Sequence, residues 1–130
     1  MKILAIRTDK PEAELYLYNG QKQLAELKWQ AHRELSDTIH LKIQQILDKS
    51  SIKLEELDGL IIFRGPGSFT GLRIGATVAN TLAYAYSIPI IGSLGPDWLK
   101  SGIQKLLAGQ NDKIAVPEYG AEPNITKPVK

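Results

Sequence analysis

The residues best suited to chemistry are gathered in one stretch, Arg64–Gly75 (RGPGSFTGLRIG). A short apolar run, Leu60–Phe63, precedes it, and a long run of apolar and small residues, Leu72–Tyr86, follows. That order predicts a strand, a glycine-rich turn and a helix. Glycines at 65, 67 and 71 admit backbone angles that side chains oppose. Pro66 fixes one φ between them, and Ser68 and Thr70 are candidates to cap the helix. A loop of this kind presents bare N–H groups and the positive end of a helix dipole. Gly67, Ser68, Thr70 and Gly71 are therefore a candidate anion site. Three familiar chemistries need other spacings. A P-loop requires Lys and then Ser or Thr behind its last glycine, where Leu72 and Arg73 stand. A dinucleotide fingerprint would need glycine at Thr70. A nucleophile elbow needs glycines two residues either side of Ser68, where Pro66 and Thr70 stand. Two readings stay open: an anion cradle, or a tight turn whose glycines bring helix and sheet together.

Other groups offer less. His32 and His40 are the only histidines and there is no cysteine, so thiolate metal sites and disulfides are excluded. A metal needs three or four placed donors, and no third donor accompanies the histidines. Tyr16, Tyr18 and Trp29 read either as a base-stacking platform or as an amphipathic sheet face, and the basic residues do not interleave with them as a platform requires. Lys113, Lys127 and Lys130 are read as solvated rather than as phosphate contacts. In the helix after the loop, Gly75, Ala79 and Ala83 form a row of small residues, while Leu72, Val78, Leu82 and Tyr86 also need cover. A helix apolar around so much of its circumference is buried on more than one side.

The elements that must position these groups follow from periodicity. Lys2–Arg7 reads as a strand. Ala13–Tyr18 alternates, Asn19–Gly20 is a hairpin turn, and Gln21–Trp29 is the return strand. Ser36 offers a cap to a helix over Asp37–Lys49, with Leu35, Ile39, Ile43, Ile46 and Leu47 on one face. A turn of helix surrounds Leu54–Leu57. Leu60–Phe63 lacks any polar residue and reads as a strand buried on both faces. Ile88–Ile91 is another short strand. Asp97–Ala108 is a helix with a stripe of Leu99, Ile103, Leu106 and Leu107, ended by Gly109. Residues 1–109 are expected to form one α/β domain, and 110–130 an extended tail. The 130-residue composition is that of a globular chain, with 43% hydrophobic and 23% charged residues. A net charge of +2 does not by itself announce nucleic acid. The longest apolar run, Leu72–Ile91, contains Arg73 and Asn80, so no membrane span is expected. No secretory signal pattern is present, which makes the cytoplasm the expected location.

The run GPGSFTGLRIG resembles the signature of the bacterial TsaB (YeaZ-type) family. KILAI near the start, the Asn19–Gly20 hairpin and IPIIG at Ile88–Gly92 extend the likeness, as does VPEYGAEPNITKP at Val116–Pro128 more weakly. The resemblance implies an actin-like, ribonuclease-H-like core of order βββαβαβ closed by a C-terminal helix. Ser93–Lys130 is short for a second lobe, which is expected to be absent or vestigial. It further implies a non-catalytic partner of TsaD that acts with the ATPase TsaE in making threonylcarbamoyladenosine beside the anticodon of tRNA. On this reading ATP is used by the complex, the chain holds no cofactor of its own and tRNA is met indirectly. The helices Asp37–Lys49 and Leu72–Tyr86 would pair with TsaD or with a second copy in a homodimer. Ile39, Ile43, Leu72, Gly75, Ala79, Leu82, Ala83 and Tyr86 are the expected contact residues. Arg7 departs from the family pattern, which has a carboxylate at the end of the first strand. A guanidinium cannot ligate Mg²⁺. Arg7 is therefore either a solvated strand-end residue or the partner of an anion held near Ser68–Gly71. Two other functions stay open: a nucleotide-binding or ATP-hydrolysing module that uses the glycine-rich loop, and an inactive peptidase-like homologue.

Overall fold

Alternation in the first thirty residues and unbroken apolar runs after them decide how the sheet is covered. The computed structural model describes residues 1–118. Strands β1 (Lys2–Arg7), β2 (Glu12–Asn19) and β3 (Lys22–Gln30) form an antiparallel meander. Strand β4 (Gly59–Gly65) lies parallel to β1, and β5 (Ile90–Leu94) lies parallel to β4. The sheet order is β3-β2-β1-β4-β5. Helices α1 (Leu35–Lys49) and α2 (Phe69–Tyr86) follow β3 and β4, and α3 (Trp98–Leu107) follows β5.

Each inner strand divides its side chains between two cores, because successive residues point to opposite faces. Leu4, Ile6, Ala13, Leu15, Leu17, Leu60 and Ile62 pack under α1 and α2. Ile3, Ala5, Tyr16, Ile61, Phe63 and Ile91 pack under α3. Strand β3 is covered on one face only. Ala25, Leu27 and Trp29 pack on the α1 side, whereas Leu24, Glu26 and Lys28 are exposed. All five residues of the expected α1 stripe are buried.

Several boundaries differ from expectation for local reasons. The hairpin loop is Gly20–Gln21 rather than Asn19–Gly20, because Asn19 still pairs with Lys22 and the left-handed φ of +61° falls on Gly20. A 3-10 turn over His32–Glu34 winds directly into α1, so Ser36 lies inside the first turn and caps nothing. Strand β5 begins at Ile90, two residues beyond the expected start. In α3 the aromatic anchor is Trp98, whose ring meets Tyr16 and Phe63 edge-on at 6.0 and 5.6 Å, while Leu107 stays exposed. Gly102 passes close to Ile61, where an added β-carbon would lie 2.7 Å from its Cγ2.

The stretch from Asn111 to Glu118 forms no helix or strand, bends at Lys113, and is tied down. The Ile90 N–H donates to Asn111 Oδ1 (3.1 Å) and the Gly92 N–H to Asp112 Oδ2 (2.8 Å). The Asp112 N–H returns a bond to the Ile90 carbonyl (2.8 Å). The Asn80 amide brackets Ala115, donating to its carbonyl (2.9 Å) and accepting from its N–H (2.8 Å). Arg64 Nε donates to the Val116 carbonyl (2.6 Å), and the Glu118 N–H to the Arg64 carbonyl (2.7 Å). The remainder of the C-terminal family-like run, with Lys127 and Lys130, lies outside the described residues. No helix of the described residues is long and apolar enough to cross a membrane.

Replacing Asn80 by Ala removes both bonds to Ala115 and leaves that backbone short of partners. The expected loss is about 1–3 kcal/mol, from two hydrogen bonds of ordinary worth. The check is urea unfolding, where the midpoint falls and the slope stays constant.

Candidate functional site

The glycine-rich loop is built against the end of β1. Ser68 caps α2: its Oγ accepts from the Gly71 N–H at 3.4 Å, and its carbonyl accepts from the Leu72 N–H at 2.9 Å. The Ser68 N–H donates to the Asp9 carbonyl (3.0 Å), and Thr8 Oγ1 donates to the Gly71 carbonyl (2.7 Å). A β-carbon on Gly67 would overlap the Asp9 side chain. One on Gly71 would overlap the Thr8 carbonyl, and one on Gly75 the Thr8 hydroxyl. Close approach, rather than backbone angle, is therefore what these three glycines supply. Of the loop glycines only Gly65 has a left-handed φ, at +118°.

The outer face of the loop lines a groove. Ser68, Thr70 and Gly71 share the wall of a cavity of about 360 Å³ with Lys10, His32 and Arg33. Gly67 faces Asp9 instead. Thr70 and Ile74 also border a second cavity of about 380 Å³ between α1 and α2, where His40 and Arg73 stand. Among the described residues no carboxylate lines either cavity. The arrangement is chemically suited to an anion. Nothing in the sequence signalled the cationic members, because Lys10, Arg33 and Arg73 come from three separate segments that meet only in the fold.

Arg7 takes neither of its expected roles. Its Nε and a terminal nitrogen hold the Asp9 carboxylate at 2.8 and 3.2 Å, and the guanidinium lies 4.0 Å from the centre of the Phe63 ring. Next to it, Glu14 is buried and accepts from Tyr16 Oη (2.5 Å) and Lys10 Nζ (3.1 Å). Burial pushes the Glu14 pKa up, but these two bonds and the charges of Lys10 and Arg7 outweigh it and hold the carboxyl below its ordinary value. Burial and the bond to Glu14 push the Tyr16 phenol well above its own. No group of three His, Asp or Glu among the described residues is placed to hold a metal ion. The aromatic residues form no shared platform: Tyr16 packs in the α3 core, and Trp29 packs on the other face with its indole donating to Thr38 (3.0 Å).

The expected contact row on the helix pair needs correction. Ile39, Ile43, Leu72, Gly75, Ala79 and Ala83 are buried within this domain. The small residues point at the sheet, because the sheet is what α2 approaches closely. Leu82 is half-buried and Tyr86 exposed. The outer surface of the pair carries Leu41, 60% exposed, and Tyr84, 89% exposed.

A five-stranded sheet of this order with helices on both faces is the ribonuclease-H-like core shared by actin-like proteins. RuvC from Thermus thermophilus has the same fold, with a TM-score of 0.51 at 12% identity over 85% of this chain and 70% of that one. YeaZ from Pseudomonas aeruginosa superposes with a TM-score of 0.67 at 26% identity, covering 72% of this chain and 43% of that one. A family model described as TsaD: tRNA N6-adenosine threonylcarbamoyltransferase matches residues 29–93, half of the chain. The tRNA threonylcarbamoyladenosine biosynthesis protein TsaB of Escherichia coli K12 is 35% identical over 114 residues, which cover 83% of this chain and 49% of that protein. The chain belongs to this TsaD family and is of the TsaB (YeaZ) type. It spans about half the length of that curated relative.

Two outcomes are expected. Gly71→Val should cost about 1–3 kcal/mol, as forced overpacking does, and lower the melting temperature. Glu14 contributes stability above the ordinary Glu pKa that is lost as pH falls through its lowered folded value. Thermal melts at stepped pH should therefore show an acid loss in that window that is smaller in Glu14→Gln.

Proposed function

We propose that this chain acts in the synthesis of threonylcarbamoyladenosine on tRNA, as a non-catalytic scaffold subunit that supports TsaD. TsaE and ATP serve the assembly, and tRNA is its substrate. The likeness to TsaB across most of this chain carries the reading. The site's construction supports it. The signature loop ties the Ser68 N–H to the Asp9 carbonyl and has the Ser68 hydroxyl accept from the Gly71 N–H at the start of α2, and the strand end holds an Arg7–Asp9 pair. The homodimer is a competing use of the same surface.

The contact surface is proposed on the outer faces of α1 and α2, around Leu41 and Tyr84, with Leu82 and Tyr86 at its border on the other side of α2. A tyrosine exposed as fully as Tyr84 is unusual for so large a ring, and aromatic anchors of this kind dominate many interfaces. Ala79 cannot serve as the test position, because it is fully buried and a carboxylate there would disrupt the domain's own core. Tyr84→Glu should keep the circular dichroism of the wild type and weaken association with TsaD by roughly tenfold or more. Light scattering of the mixed proteins reads this. A folded variant that binds TsaD as tightly as wild type would move the interface elsewhere.

A further inference from the structure

We infer that the groove beside the signature loop binds the phosphodiester backbone of RNA. The inference rests on the reading that this chain serves tRNA modification, and it makes the contact with RNA direct. Helices α1 and α2 run side by side in the same direction, so their positive N-terminal ends open onto one groove. Lys10 and Arg33 stand in one part of that groove and Arg73 in the other, with Thr70 common to both. Among the described residues neither Arg33 nor Arg73 has an ion pair or a hydrogen bond through its guanidinium. Lys10 is shared with Glu14. Exposed acids of the first turn, Glu34 and Asp37, do not line the groove.

The pattern of side chains selects among anions. The cations are spread along the groove rather than focused on one point, which suits successive phosphates better than a single one. Hydroxyls of Ser68 and Thr70 can donate to phosphate oxygens, as such side chains do in backbone recognition. Among the described residues no Phe, Tyr or Trp lines either cavity, and the only rings there are the imidazoles of His32 and His40, so the groove lacks the broad stacking surface of a sequence-reading site. The groove therefore contributes affinity and orientation, and leaves sequence to be read elsewhere.

The test is fluorescence anisotropy of a labelled anticodon stem-loop RNA, titrated with the whole chain over a range of salt. Arg33→Gln combined with Arg73→Gln should weaken binding on the order of tenfold and reduce the salt slope by roughly one per charge removed. Lys100→Gln, on α3 at the opposite face, should leave both unchanged. ATP and inorganic phosphate, added as competitors at constant ionic strength, should not displace the RNA. Unaltered affinity and slope in the double variant would overturn the proposal, as would an equal loss in Lys100→Gln. Displacement by ATP at stoichiometric binding would replace it with a compact nucleotide site. Light scattering of the same double variant with TsaD separates the two readings. Pairing retained while RNA binding is unaffected removes the groove alone. Pairing absent in wild type while the groove variants lose RNA removes the scaffold reading alone.

Discussion

Thr8 and Asp9 lie so near the start of α2 that no β-carbon fits at Gly67, Gly71 or Gly75: the Asp9 side chain, the Thr8 carbonyl and the Thr8 hydroxyl stand in the way in turn. This approach joins the end of the first strand to the beginning of a helix more than sixty residues later. It sets where α2 starts and which of its faces meets the sheet. Because α1 packs beside α2 on that face, it also shapes the groove between them. Two hydrogen bonds accompany the approach: the Ser68 N–H, which no helical carbonyl could serve, donates to the Asp9 carbonyl, and the Thr8 hydroxyl adds a donor to the first-turn Gly71 carbonyl. A motif that looks like a ligand cradle in isolation is thus also the joint that holds helix to sheet.

The strand ends around that joint carry an unusual amount of paired charge. Arg7 is clamped by Asp9 and flattened on Phe63, and Glu14 is enclosed between Tyr16 and Lys10. Charges removed from water in this way are tolerable because each has a partner with good geometry. The same pairing leaves the Arg7 and Asp9 side chains occupied with each other. Cations just outside this cluster face solvent in the groove instead. A short distance across the surface therefore separates a neutralised interior from an unneutralised rim.

Much of this architecture is legible in the sequence, for reasons that can be named. Leu35, Ile39, Ile43, Ile46 and Leu47 recur at helical spacing, and Ala13, Leu15 and Leu17 alternate, so the period alone gives both element and buried face. Leu60–Phe63 lacks polar residues and is indeed covered on both sides. Contacts distant in the chain are what periodicity cannot see. The row Gly75, Ala79 and Ala83 promises a close neighbour but does not say which, and the neighbour is the sheet rather than another helix. Trp98 stands at a helix start, where no repeat marks it as an anchor, yet it fills the space between Tyr16 and Phe63. Lys10, Arg33 and Arg73 share no spacing at all, so their convergence is a property of topology. The family signature supplied the fold that local patterns could only suggest.

The stretch after Gly109 has a consequence for how the molecule lives among its neighbours. A border strand ordinarily presents a row of unpaired amides on which other chains can polymerise. On β5 that row is met by the carbonyl oxygen of the Asn111 side chain and the carboxylate of Asp112. Side-chain acceptors end a ladder, because they offer no continuing strand for the next molecule to copy. The opposite border, β3, bears Lys22, Glu26 and Lys28 on its exposed positions, a pattern that discourages pairing by charge. With both borders guarded against strand addition, association is steered toward the helical surfaces, and crowding is less prone to end in fibrils.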